Sequence, residues 1–203
     1  LWEEETRLAA WNTLRFTATA VAAALALGIS HAALARRLPW IRGITFLPFM
    51  VSPVCVAFGI LLLYPEWTAS LPLLTATYAL LAYPFATKDL LAAWDALPPQ
   101  YAAAARSMGA NRFQTACYVT APLLLPAMRR GLTLAAATCI GEFAATLFLS
   151  RPEWLTLTTL IYQYLGTAGA ENHDRAMVLT AALMMLAAAV FVLLDAAERE
   201  KAV

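Results

Sequence analysis

The sequence predicts an all-α integral membrane fold, five transmembrane helices with a polar two-helix loop between the third and the fourth. Three observations carry this. Of 203 residues, 62% are hydrophobic and 13% charged, with a mean hydropathy of +0.66, which is too apolar for a soluble domain and too long for one span. The apolar residues fall in separate runs long enough to cross ~30 Å of hydrocarbon at ~1.5 Å per residue. Lys and Arg gather on alternate connections. A net charge of +1 offers no basic patch for nucleic acid. Cys55, Cys117 and Cys139 stand singly, with no CxxC and no histidine cluster, so neither a disulfide framework nor a zinc site is indicated.

The first span covers about residues 12–35 and closes on Arg36-Arg37. The preceding LWEEETRLAAW has neither the basic start nor the cleavage site of a signal peptide, and Leu1 is not an initiator. The chain therefore reads as a piece of a longer one. Arg15 and His31 lie near the two ends of this span, where one can snorkel and the other be wetted. The second span, about 43–64, contains Pro48 and Pro53, which remove backbone donors and should kink or break it in its inner half. Such a break can line a pathway or serve packing alone. Pro65 to Ser70 is a short interfacial loop carrying Trp67, and the third span runs over about 71–91, with Pro84 inside it.

Residues 98–126, PPQYAAAARSMGANRFQTACYVTAPLLLP, form the polar insert. Pro98 and Pro99 suit a first helical turn and Ala102 to Ala105 are strong helix formers. Gly109 should stop this helix, Asn111 should cap a second, and Pro122 and Pro126 should end or kink that one before the next span. A helix of roughly ten residues is marginal alone in water, so the first must pack on the membrane domain or on a partner. The fourth span, about 131–149, places Gly141-Glu142-Phe143 midway. A carboxylate so deep must face the bundle interior, a partner or water; it either lines a pathway, which would suit a cationic cargo, or is a protonated or hydrogen-bonded group fixing helix packing. Thr156 to Leu165 is apolar enough for a short helix on or in the membrane surface, with Trp154, Tyr162 and Tyr164 as interfacial aromatics. Gly166 to Arg175 reads as a turn-rich loop in which His173 beside Asp174 is ordinary solvated surface. The fifth span covers about 176–194 and a charged tail, Asp195 to Lys201, follows. Small residues such as Gly59, Ala76, Ala144 and Ala145 can pack helices or line a path.

Arg36, Arg37, Arg42, Lys88, Arg106, Arg112, Arg129, Arg130, Arg199 and Lys201 share one side; Arg7, Arg15, Arg151 and Arg175 share the other. The bias places the loop and the C-terminus in the cytoplasm and the N-terminus outside.

Ala103-Ala104-Ala105, three residues, Gly109, nine residues, Val119, one residue and then Ala121-Pro122 resemble the loop of ATP-binding-cassette importer permeases, whose pattern at this spacing is Glu-Ala-Ala, Gly, Ile, Leu-Pro. Ala103 replaces the usual glutamate and Ala121 the usual leucine. The resemblance implies that Ala103, Ala104, Ala105, Arg106, Met108, Gly109, Val119 and Pro122 belong to a coupling loop seated in a groove of a cytoplasmic ATPase. The missing carboxylate at 103 bears on one charged contact to the ATPase that the resemblance implies. Five spans with a cytoplasmic loop between the third and fourth also resemble the core of type I importers. Residues 141–149, Arg151-Pro152-Glu153-Trp154 and Leu160-Ile161-Tyr162-Gln163 resemble the ferric-iron and thiamine permeases, often fused chains with two such cores, and this chain resembles the second.

The resemblance implies a multi-pass protein of the bacterial inner membrane working by alternating access. Its partners would be a second permease core, fused or separate, a cytoplasmic ATPase dimer, and a periplasmic or lipid-anchored solute-binding protein, all in membrane lipid. ATP and Mg would be bound by the ATPase and no cofactor by this chain. Neither Lys88 nor Lys201 sits in a Gly-Lys-Ser/Thr phosphate loop. Gly141, Glu142, Phe143 and Pro53 are the candidate pathway residues. Two other readings stay open: a gradient-driven secondary transporter or channel in which Glu142 carries a proton or ion, and a membrane anchor or assembly subunit.

Overall fold

The computed structural model describes residues 2–199, with side chains described as far as residue 194. Glu200 and Lys201 of the charged tail lie outside the described residues. Those described are helical with no β-strand among them.

Helix α1 (Trp2–Arg37) has 36 residues, about 54 Å. It starts ten residues before the expected span because Glu3, Glu4 and Glu5 occupy its first turn, and Arg36 and Arg37 its last, where each charge complements the helix dipole. Its buried stripe, including Ala9, Phe16, Ala20, Ala24, Gly28, Ala32 and Ala35, follows the helical period and faces α4 (Leu71–Ala96) and α7 (Ala121–Ile140).

Residues 43–64 do not form one helix. A 3-10 turn (Pro39–Ile44) leads into α2 (Leu47–Met50), the chain breaks at Val51-Ser52, and α3 (Pro53–Leu63) leaves at 95°. Ser52 is held extended (ψ 132°) because a following proline clashes with the helical conformation. At 11 residues α3 reaches about 16 Å, half the hydrocarbon thickness, so this is a broken span or a re-entrant loop.

By length and composition, three described helical stretches can cross a membrane: Trp2–Arg37, Arg112–Ile140 and Ala170–Leu194. The bent pair would add a fourth. Helix α4 is 26 residues long but less apolar, carrying Thr77, Tyr78, Tyr83, Thr87, Lys88 and Asp89. Enclosure by α1 and α7 keeps its middle out of contact with lipid, and the hydroxyls of Thr77 and Thr87 donate back to Leu73 and Tyr83 carbonyls.

Pro122 and Pro126, expected to end or kink the second helix, do not end it. After α5 (Pro99–Ser107), α6 (Arg112–Thr115) passes through a π-turn (Ala116–Thr120) into α7 as one 29-residue helix. The wider turn lies where the Pro122 ring would otherwise meet the carbonyl four residues back, at Tyr118. The fourth expected span, 131–149, is also revised: α7 ends at Ile140, Gly141 to Phe143 break the helix, and α8 (Ala144–Leu149) is short. Helix α9 (Leu157–Gly166) follows. Helix α10 (Ala170–Arg199) begins before His173, which stands in its first turn rather than in a loop.

Packing falls into three levels. Phe16, Leu74, Tyr78, Ala135, Cys139 and Leu149 form the central cluster of α1, α4, α7 and α8. At one end Ala32, Ala35, Ile41, Leu90, Leu91 and Leu124 close the bundle, with Arg42 bidentate to Asp95 (2.6 and 2.9 Å) and Arg36 over Trp94. The Arg42 guanidinium holds the Asp95 carboxyl below its ordinary range, chiefly by hydrogen bonding. At the other end Ala9, Leu157, Leu160 and Leu179 pack together beneath the Tyr164 to Glu5 hydrogen bond (3.2 Å). Helices α4 and α7 approach so closely at Gly131 that a Cβ there would lie 2.8 Å from the Ala86 Cα.

Candidate functional site

Two places bring together the residues singled out by sequence. The first is the loop from α5 to α6. Gly109 has φ +89°, the left-handed conformation that ends α5; its N–H donates to the Arg106 carbonyl (3.0 Å) and that of Ala110 to Ala105 (3.1 Å), the paired bonds of a glycine C-cap. Two residues on, Asn111 opens α6 with reciprocal bonds: Gln114 N–H to Asn111 Oδ1 (2.8 Å) and Asn111 N–H to Gln114 Oε1 (2.9 Å). Both helix ends are thus satisfied locally, and the short α5 is joined to the start of the long Arg112–Ile140 helix by a turn fixed at both ends. Ala105 is buried between them, whereas Ala103, Ala104 and Arg106 face outward. Met108, Phe113 and Tyr118 are 83%, 76% and 79% exposed. So much bare apolar side chain around a cavity of about 420 Å³, lined by Met108, Gly109, Gln114, Tyr118 and Val119, suits a surface built to be covered. Pro122 stands on the helix beyond the π-turn, outside that lining.

The second place is where the two helix breaks meet. Pro53, at the break before α3, and Glu142, at the break before α8, line one cavity of about 100 Å³ with Pro48, Phe49, Val51, Leu81, Phe85 and Thr138. Glu142 is 8% exposed. Its Oε1 accepts the Ala145 N–H (3.0 Å), so the carboxylate caps α8 as well as bordering the cavity. Gly141 is the C-cap of α7, and Phe143 turns away to pack on the Tyr162 ring at 5.1 Å. Pro53 and Glu142 share the cavity; Gly141 and Phe143 frame the break without lining it.

Sequence reasoning missed the residues that hold this break open and those that pin the segment between α8 and α9. The Glu142 carbonyl, released from the helical ladder, accepts from Tyr78 Oη (3.3 Å) and Thr158 Oγ1 (3.0 Å), and Tyr78 Oη also bonds Thr146 Oγ1 (2.5 Å). Asn12, buried in α1, donates to the carbonyls of Glu153 and Leu155 (both 3.0 Å), and Thr13 Oγ1 accepts the Leu157 N–H (3.0 Å). The available signal was polarity: a tyrosine, an asparagine and hydroxyls inside apolar runs must find partners.

Residues 21–197 match the family of binding-protein-dependent transport system inner membrane components. The chain belongs to that family. The sulfate transport system permease protein CysT of Escherichia coli (strain K12) is 27% identical over 155 residues, covering 69% of this chain and 56% of CysT. The molybdenum transport system permease protein ModB of the same organism is 30% identical over 128 residues, covering 61% of this chain and 56% of ModB. The chain therefore spans little more than half the length of these relatives. The fold resembles that of a chain in the inward-facing MetNI methionine ABC transporter, with a TM-score of 0.78, 18% identity, and coverage of 96% of this chain and 95% of that one. The finer likeness to ferric-iron and thiamine permeases has no counterpart in these names.

Proposed function

We propose that this protein is the membrane-spanning part of an ATP-driven importer, moving a small solute handed over by a binding protein on the outer side into the cytoplasm by alternating access. The observation that carries the reading is the α5–α6 loop: a doubly capped, locally rigid pair of helices that presents bare Met108, Phe113 and Tyr118 in a member of a binding-protein-dependent transport family. A rigid element transmits a push from an ATPase seated on it, whereas a merely connective loop needs neither caps nor exposed apolar side chains. ATP and Mg would bind to the separate ATPase dimer. A second core, fused or separate, completes the pathway, and the loop and C-terminus face the cytoplasm while the N-terminus lies outside. Glu142 and Pro53 border the path where the two broken helices meet.

For the solute, residues 141–149 and 151–154 support ferric iron or thiamine, and the names of the relatives favour a second reading, a small oxyanion. Uptake into proteoliposomes holding the assembled importer and its binding protein decides both points, with ferric iron, thiamine, sulfate and molybdate offered in turn. The expected result is uptake of one class that requires ATP hydrolysis inside. Uptake driven by an ion gradient without ATP would support the secondary-transporter reading instead.

A further inference from the structure

The cleft between α8 and α9 holds a set of polar groups that neither helix break uses. Its volume is about 290 Å³, and its lining includes Thr146, Ser150, Arg151, Thr159, Tyr162 and Gln163. The hydroxyls of Thr146 and Thr159 on its floor are committed, to Tyr78 and to the Thr156 backbone. The others are not: among the described residues the side-chain polar atoms of Ser150, Tyr162 and Gln163 have no hydrogen-bond partner, and Arg151 has no carboxylate partner. Its guanidinium lies over the Trp154 ring, 5.5 Å from the centroid, a contact that orients the group while leaving its N–H donors free. No Asp or Glu lines the cleft; Glu142 borders the separate cavity on the far side of the break.

The cleft is also supported from beneath. Asn12 and Thr13 of α1 tie down the 153–157 backbone, and Thr156 and Thr159 bond each other at the start of α9, so Arg151 and Gln163 project from two anchored segments. A cation with free donors, neutral donors beside it and no competing acid is a combination that selects an anion.

We propose that this cleft is a binding site for a small anion, an oxyanion or a compact carboxylate, held by Arg151 with Ser150, Tyr162 and Gln163 as donors. Its place on the outward side rests on the importer reading above; the binding does not. The ring of Tyr162 packs against Phe143 at the break, so an occupied cleft lies beside the proposed path, where an anionic solute, or the anionic part of a chelated cation, would arrive first.

The test uses the full-length protein in nanodiscs, labelled with 5-fluorotryptophan, the Trp154 resonance being assigned from Trp154→Phe. Inorganic phosphate and citrate are titrated at constant ionic strength. A saturable shift of the Trp154 signal is expected, with an apparent Kd raised about tenfold or more in Arg151→Gln, as for loss of a charge-assisted contact, and unchanged in Arg175→Gln, whose guanidinium pairs with Glu171 elsewhere. A shift that is linear, or equal in Arg151→Gln, would overturn the site. A saturable shift in a protein that shows no ATP-driven uptake would keep the anion site while rejecting the importer reading.

Discussion

At Glu142 two roles meet in one side chain. Its carboxylate caps α8 through Ala145 and borders the cavity shared with Pro53. The roles separate by substitution. Glu142→Gln keeps an acceptor oxygen for the cap and removes the charge, whereas Glu142→Ala removes both and should cost about 0.5–2 kcal/mol, the range for a lost helix cap. With a pathway role, Glu142→Gln lowers uptake per assembled complex while the yield of assembled protein, read by size-exclusion chromatography, stays near wild type. Reduced assembly with unchanged uptake per complex would assign the residue to packing alone. Tyr78 offers a second check on the break. Tyr78→Phe takes its hydroxyl from the Glu142 carbonyl and from Thr146, and should destabilise the fold by about 1–3 kcal/mol, the cost of leaving buried polar groups unpaired, measurable as a lower thermal midpoint in detergent. That Glu142 needed a partner was legible in the sequence. That the partner is backbone was not, because the cap exists only once the helix breaks at Gly141.

Among the elements, the sharpest sequence signals were those with local chemistry. Gly109 and Asn111 set the turn between α5 and α6 through bonds to residues three to five positions away, so the loop was readable from a short window. The prolines were harder. Pro53 breaks the chain because nothing at Ser52 offsets its clash, while Pro122 and Pro126 remain inside a continuous helix after a π-turn, a rearrangement that composition does not signal. Two element-level predictions follow from this geometry. Replacing Gly109 with valine forces a β-branched residue into φ +89° with open space around it, so the penalty is backbone strain of at least about 1–2 kcal/mol; ATP hydrolysis should persist in the assembled complex while uptake per ATP falls. Normal coupling in that variant would count against a transmitting role for the loop. Gly131→Val addresses the α4–α7 contact, where even a Cβ meets the Ala86 backbone. Overpacking of this kind typically costs about 1–3 kcal/mol, and the expected result is a marked drop in thermal midpoint, against no drop from Gly59→Ala, which lies inside α3 and meets nothing within 4 Å.

Across the whole molecule, membership of the transport family and the all-helical fold were both foreshadowed by hydropathy and by the spacing of Ala103 to Pro122. The path of the chain between its ends was less so. Long helices such as α1 and Arg112–Ile140 run past the segments that hydropathy marks, because charged turns at a helix end add to its length without adding to its apolarity. Conversely, α3 and α8 are apolar but short, and only the tertiary arrangement shows that their broken ends face each other across one cavity. Three of the basic residues show the two ends of the bundle: Arg36 and Arg42 pack at the end from which the α5–α6 loop leaves, Arg175 at the end formed by Trp2, Tyr164 and α9.

The central claim is that the α5–α6 loop carries force from an ATPase into the bundle, and it is tested most directly by cysteine cross-linking at position 104 or 108 to the importer's ATPase subunit, co-expressed with this protein. Cys117, exposed on the π-turn that follows the loop, and Cys55, exposed on α3, must be replaced first. The account predicts a cross-link from Ala104→Cys or Met108→Cys whose yield changes on adding ATP with Mg. No cross-link in membranes that contain both proteins would contradict the account.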